Sequence, residues 1–123
     1  MAKKILIIED EASLRMALEE KFNGEGFAVL TADNGEDGLV LAQQHIPDLI
    51  LLDIILPKMN GFDVLSRLAK DDATKEIDVM ILTNLSETGK VGEIVRKGVS
   101  EYLVKADWTL EEISEKVRNK LAD

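Results

Sequence analysis

The run Ile5-Leu6-Ile7-Ile8 contains no polar residue, and Leu49-Ile50-Leu51-Leu52 repeats the pattern. A strand with one wet face alternates polar and apolar side chains, whereas a run without alternation is buried on both faces. Such strands belong to parallel sheets, in which crossover helices cover both sides. The remaining chain supplies strands and helices in the required alternation. Further strands are expected at 28–32, 77–83 and 101–104. Over 12–23 the period changes: Leu14, Leu18 and Phe22 recur every four residues, with Arg15, Glu19 and Glu20 on the opposite side. Gly24 and Gly26 end that helix. A second helix opens at Asn34 as N-cap, runs to about His45 and is stopped by Pro47. Pro57 and Asn60-Gly61 mark a loop before a helix at 62–70. A helix at 87–97 contains Gly89 and Gly92, each costing roughly 1 kcal/mol relative to alanine. Thr109-Leu110-Glu111-Glu112 forms a capping box for a last helix that turns Ile113, Val117 and Leu121 inward.

Five strands alternating with five helices within 123 residues predict a single α/β domain over 1–123, with right-handed crossovers. Hydrophobic residues at 46% suffice for its core. Lys plus Arg is 15 and Asp plus Glu is 24, a net charge of −9 that repels phosphate backbones and anionic membrane surfaces. No direct nucleic-acid or membrane partner is therefore expected. The absence of cysteine excludes disulfides, thiolate metal sites and a cysteine nucleophile, and fits a cytoplasmic setting. Asp53 interrupts the longest apolar stretch far short of the ~20 residues of a membrane span. Only four apolar residues follow Met1-Ala2-Lys3-Lys4, fewer than a secretory signal needs.

In an open parallel sheet, ligands bind beyond the carboxyl ends of the strands. Glu9 and Asp10 follow the first strand, Asp53 ends the third, Thr83 the fourth, and Lys105 the fifth. Three carboxylates crowded together repel, by about 4 kcal/mol per pair at 4 Å and an effective dielectric of 20. A cation is the natural remedy, and hard oxygen ligands without histidine or cysteine favour Mg2+. Asp53 can then act as a nucleophile and form an aspartyl-phosphate, with Lys105 and Thr83 contacting the phosphoryl oxygens. Taken singly, Glu9 or Asp10 would serve as an acidic helix cap, Thr83 as a structural hydroxyl, Lys105 as a surface charge and Tyr102 as a half-buried strand aromatic.

Glu9-Asp10, Leu51-Leu52-Asp53-Ile54 with Pro57 and Asn60-Gly61, Thr83, and Tyr102-Leu103-Val104-Lys105 together resemble the receiver domain of two-component response regulators, from Lys4 to about Leu121. The resemblance implies a flavodoxin-like three-layer fold with strand order 2-1-3-4-5. It implies that Asp53 accepts a phosphoryl group from a histidine of a sensor kinase or phosphotransfer protein. Mg2+ would be held by Glu9, Asp10, Asp53 and the Ile55 backbone carbonyl. Thr83 and Lys105 would contact the phosphoryl group, and Tyr102 would change rotamer with it. The surface made by the helix at 87–97, the fifth strand and the last helix would shift and alter partner binding. The protein would be a switch rather than an enzyme in the turnover sense, monomeric or dimerising on phosphorylation.

Three positions depart from the usual pattern of that family. Ala106 replaces the proline that commonly follows the lysine, so the Lys105-Ala106 bond is cis under strain or trans. Asn84 stands where a small residue is common, and Asn60 where aspartate is. Ile55 and Leu85 occupy rim positions at which polar residues can place a hydrolytic water, so slow self-dephosphorylation is expected.

Other functions fit the sequence less well. A phosphatase of the haloacid dehalogenase type needs a second aspartate where Ile55 stands. No phosphate loop of the NTPase type occurs. A flavodoxin-like redox protein would carry a hydroxyl- and glycine-rich loop in place of Glu9-Asp10. A module of the same fold that is never phosphorylated stays open. The last residues follow Leu121 closely, which suits a stand-alone receiver or one cut from a longer protein. Among the remaining residues, His45 reads as a solvated helix end and Trp108 as a packing anchor beside the last helix. Met16, Met59 and Met80 read as core or loop fillers.

Overall fold

A computed structural model describes residues 2–85 and 99–122. Its five strands are β1 (Lys4–Ile8), β2 (Ala28–Ala32), β3 (Leu49–Leu52), β4 (Asp78–Thr83) and β5 (Glu101–Val104). They form one parallel sheet in the order β2-β1-β3-β4-β5, as the resemblance implied. The described helices are α1 (Ala12–Gly24), α2 (Gly35–His45), α3 (Gly61–Lys70) and α4 (Leu110–Leu121). The helix expected at 87–97, with Gly89 and Gly92, lies outside the described residues.

The unbroken apolar runs are explained by two cores. Side chains of a strand alternate faces, so each run feeds both. Leu6 and Ile8, Ile50 and Leu52, and Val79 and Ile81 pack beneath α2 and α3 with Leu39, Ala42, Val64 and Leu68. Ile5 and Ile7, Leu49 and Leu51, Met80 and Leu82 face the other way, against Leu18 and Phe22 of α1 and Ile113 and Val117 of α4. All four residues of the β1 run are fully buried. Gly38, inside α2, allows the helix to sit down on β1: a Cβ there would lie 2.5 Å from the Ile8 side chain.

The helix termini follow the expected chemistry. Asn34 Oδ1 accepts the Asp37 N–H, and Asn60 Oδ1 accepts the Asp63 N–H. Both halves of the Thr109–Glu112 capping box form. The Thr74 hydroxyl, buried, donates 2.8 Å to the Leu68 carbonyl near the end of α3. Glu25, just past α1, accepts hydrogen bonds from Ser114 and Arg118 of α4 and so ties these two helices together.

One reading needs correction. Met16 is not a filler: it stands 63% exposed on α1, because the inward stripe is taken by Leu14, Leu18 and Phe22. A short 3₁₀ turn at Lys105–Asp107, absent from the periodicity argument, follows β5. Met80 is in the core on the α1/α4 side, Met59 packs against the opposite core, His45 is exposed, and Trp108 packs on the α1/α4 side with the Lys116 ammonium 5.1 Å from its ring centre. No cis peptide bond occurs among the described residues, so Lys105-Ala106 is trans.

Candidate functional site

The parallel register places the carboxyl ends of β1, β3, β4 and β5 along one edge. Glu9 continues β1, its N–H donating 3.0 Å to Ala32 of β2. Asp53 continues β3, its N–H donating 3.0 Å to Ile8. Both side chains are buried, while Asp10 is exposed. One carboxylate oxygen from each of Glu9, Asp10 and Asp53 lies within 4.8 Å of the other two. Sequence reasoning had named these three, and the fold brings them together.

Lys105 completes the cluster from the end of β5. Its Nζ donates 2.7 Å to Asp53 Oδ2 and sits 2.6 Å from Glu9 Oε1. Glu11 Oε1, a neighbour not singled out from the sequence, lies 3.8 Å from the same ammonium. Burial works against the Lys105 charge, but hydrogen bonds to Asp53 and Glu9 outweigh it and hold its pKa above the ordinary lysine value. Burial pushes the Glu9 carboxyl above the usual range, opposed by its bonds to Lys105 and the Glu11 N–H. A single lysine thus neutralises part of a site that would otherwise repel itself.

The Asp53 carboxylate also accepts the Ile55 N–H on Oδ1 at 3.1 Å. Gly61 makes this loop possible, since a Cβ there would lie 2.5 Å from the Asp53 backbone oxygen. Thr83 is fully buried, and its Oγ1 accepts the Leu85 N–H at 3.4 Å. The Tyr102 hydroxyl donates 2.9 Å to the Leu85 carbonyl. The backbone of Leu85, through its N–H on one side of the Cα and its carbonyl on the other, therefore links Thr83 to Tyr102. At the rim, Ile55 is 54% exposed, Asn84 is exposed and Leu85 half-buried. Arg15, which the sequence placed only on the outer side of α1, reaches back to the loop carrying Glu9 and Asp10: Nη1 donates 3.0 Å to the Glu9 carbonyl and 3.5 Å to that of Asp10. Side-chain reach of this kind leaves no mark on apolar periodicity, so the pattern could not reveal it.

The model of the response regulator receiver domain matches residues 5–118. The chain belongs to the response regulator receiver family. As a receiver it is a signalling regulator of two-component systems. It is 41% identical over 104 residues to Protein PilH of Pseudomonas aeruginosa, covering 83% of this chain and 84% of that protein. It is 36% identical over 103 residues to a probable transcriptional regulator, ycf27, of Guillardia theta, covering 84% of this chain but only 39% of that longer protein. The solved receiver domain of a Pseudomonas aeruginosa sensor histidine kinase, described with a magnesium ion in its active-site cleft, superposes with a TM-score of 0.86 over the whole of both chains at 20% identity, which is a likeness of fold. No described helix is long and apolar enough to cross a membrane.

The residues present suit a hard divalent cation. The converging atoms are carboxylate oxygens only, which favours Mg2+ over softer metals.

Proposed function

We propose that this receiver, residues 1–123 as one domain, is a phosphorylation-controlled switch in which Asp53 accepts a phosphoryl group from a phosphohistidine of a sensor kinase or phosphotransfer protein. The observation that carries the reading is Asp53 itself. It is a buried carboxylate at the end of an apolar strand, held by Lys105 on one oxygen and the Ile55 N–H on the other. In the transfer an Asp53 oxygen forms the new bond to phosphorus, the phosphorus–nitrogen bond of the donor breaks, and the imidazole leaves with its electron pair and takes a proton. Glu9, Asp10, Asp53 and the Ile55 carbonyl would hold Mg2+, which when bound offsets charge on the phosphoryl oxygens. Lys105 Nζ supplies a second positive charge at Asp53 Oδ2, and the Thr83 hydroxyl supplies a hydrogen-bond donor.

The new group carries about −1.5 to −2 charges. Thr83 turns its hydroxyl toward it, disturbing the bond from the Leu85 N–H. The Tyr102 hydroxyl holds the carbonyl of the same residue, so the change reaches β5 and, with the segment at 87–97 and α4, alters the partner-binding surface. The downstream partner binds this surface and the protein is a monomer or a phosphorylation-dependent dimer. Ile55 and Leu85 offer no hydrogen bond to a hydrolytic water, so the phosphoryl group is lost slowly. The pair Ile55→Asn, Leu85→Glu is expected to lose it several-fold faster, and an equal or slower decay would reject this role.

Intact-mass measurement after incubation with acetyl phosphate and Mg2+ tests the core of the reading. One phosphoryl adduct is expected, absent from Asp53→Asn and from protein treated with chelator. Absence of any adduct, together with no transfer from a phosphorylated histidine kinase, would leave a binding module that is never phosphorylated.

A further inference from the structure

Asp10 is the exposed member of the carboxylate cluster, and its tethering is thin. Among the described residues, the one hydrogen bond given to it runs from Arg15 Nη1 to its backbone carbonyl at 3.5 Å. The same Nη1 donates at 3.0 Å to the Glu9 carbonyl, so one guanidinium nitrogen grips two successive peptide units. Glu9 is secured independently, by its N–H to Ala32 and by its side chain to the Glu11 N–H and Lys105. Arg15 is half-buried on the first turns of α1. It lines a cavity of about 510 Å³ together with Asp33 and Asp37, yet pairs with neither of them among the described residues. An arginine in so acidic a protein ordinarily finds a carboxylate. Here its guanidinium is spent on the main chain of the loop that carries two of the three cluster carboxylates.

We infer that Arg15 is a positioning residue for the divalent-cation site, fixing the backbone at Glu9 and Asp10 so that the Asp10 carboxylate stays within reach of Asp53. The inference rests on the receiver reading above, in which that cluster holds Mg2+. Charge and geometry make opposite demands on the arginine, which is what makes the idea testable. Removing a positive charge close to the site, by electrostatics alone, would tighten Mg2+ binding. Removing a clamp that orients a ligand would weaken it, as loss of partners behind metal ligands does by about 10–100-fold.

Mg2+ alone is titrated by calorimetry into the wild type, Arg15→Ala, Arg15→Lys and Asp10→Asn. Arg15→Ala is expected to bind Mg2+ about tenfold more weakly, with Arg15→Lys between it and the wild type, because the shorter lysine side chain brings its ammonium less close to the two carbonyls. The urea midpoint of each variant shows whether the change is confined to the site. In the metal-free protein, the amides of Asp10 and Glu11 should shift and exchange faster in Arg15→Ala. Mg2+ affinity equal to or tighter than wild type, or unmoved Asp10 and Glu11 amides, overturns the inference. A wild type that binds no Mg2+ overturns the metal site of the receiver reading instead, and the amide measurement still decides whether the clamp exists.

Discussion

Lys105 does the work of a cation for Glu9 and Asp53, and any metal ion must share these carboxylates with it. Lys105→Ala leaves two adjacent buried carboxylates without a counter-charge. Breaking a fully buried pair costs about 3–5 kcal/mol; since Lys105 is partly exposed, about 2 kcal/mol is expected in metal-free protein. The same variant should bind Mg2+ roughly tenfold more tightly, because a competing positive charge is gone. Saturating Mg2+ then restores the lost stability by mass action. Urea titrations with and without Mg2+ measure both effects, and weaker Mg2+ binding in Lys105→Ala would contradict the account. The sequence identified Lys105, Asp53 and Glu9 because strand ends can be counted. It missed Glu11 and Arg15, whose roles depend on where long side chains fold back across a loop.

Three of the described helices, α2, α3 and α4, open at side-chain caps, and those at Asn34 and Thr109 were readable in advance. Asn34, Asn60 and Thr109 each accept the N–H three residues on. Thr109→Ala should cost about 1 kcal/mol by urea denaturation. Glu112, whose carboxylate accepts the Thr109 N–H, has its pKa lowered by that backbone bond and by the Thr109 hydroxyl. A carboxylate with a depressed folded-state pKa adds stability that is present above its unfolded pKa and lost as pH falls through the folded one. Glu112→Gln should therefore destabilise α4 at neutral pH and lose that effect in acid, where the wild-type carboxyl is protonated. A difference between the two proteins that grows on acidification would sink the assignment. The 3₁₀ turn at Lys105–Asp107 had no such signal, since a three-residue turn is too short to show a period.

At the scale of the molecule, one sheet is shared by two cores, and every central strand contributes to both. Disturbing either core should unfold the other. Leu68 faces inward from α3, on the side of the sheet opposite Trp108. Leu68→Ala is expected to lose about 2–5 kcal/mol. The indole fluorescence of Trp108 and the far-ultraviolet circular dichroism should shift to the same new urea midpoint. Separate midpoints would mean that the two faces unfold independently.

The sequence by itself determined the element types, the parallel sheet and the candidate set at the strand ends, because backbone period and capping are local properties. Residues such as Ile5–Ile8 and Thr109–Glu112 carry that information in their own spacing. Tertiary structure alone decided that the Lys105 ammonium bridges Asp53 and Glu9, that the Leu85 N–H and carbonyl link Thr83 to Tyr102, that Arg15 turns back onto Asp10, and that Met16 faces outward. These depend on strand register, helix rotation and side-chain reach between segments as far apart as β1 and β5, and no local period encodes a distance between residues separated by half the chain.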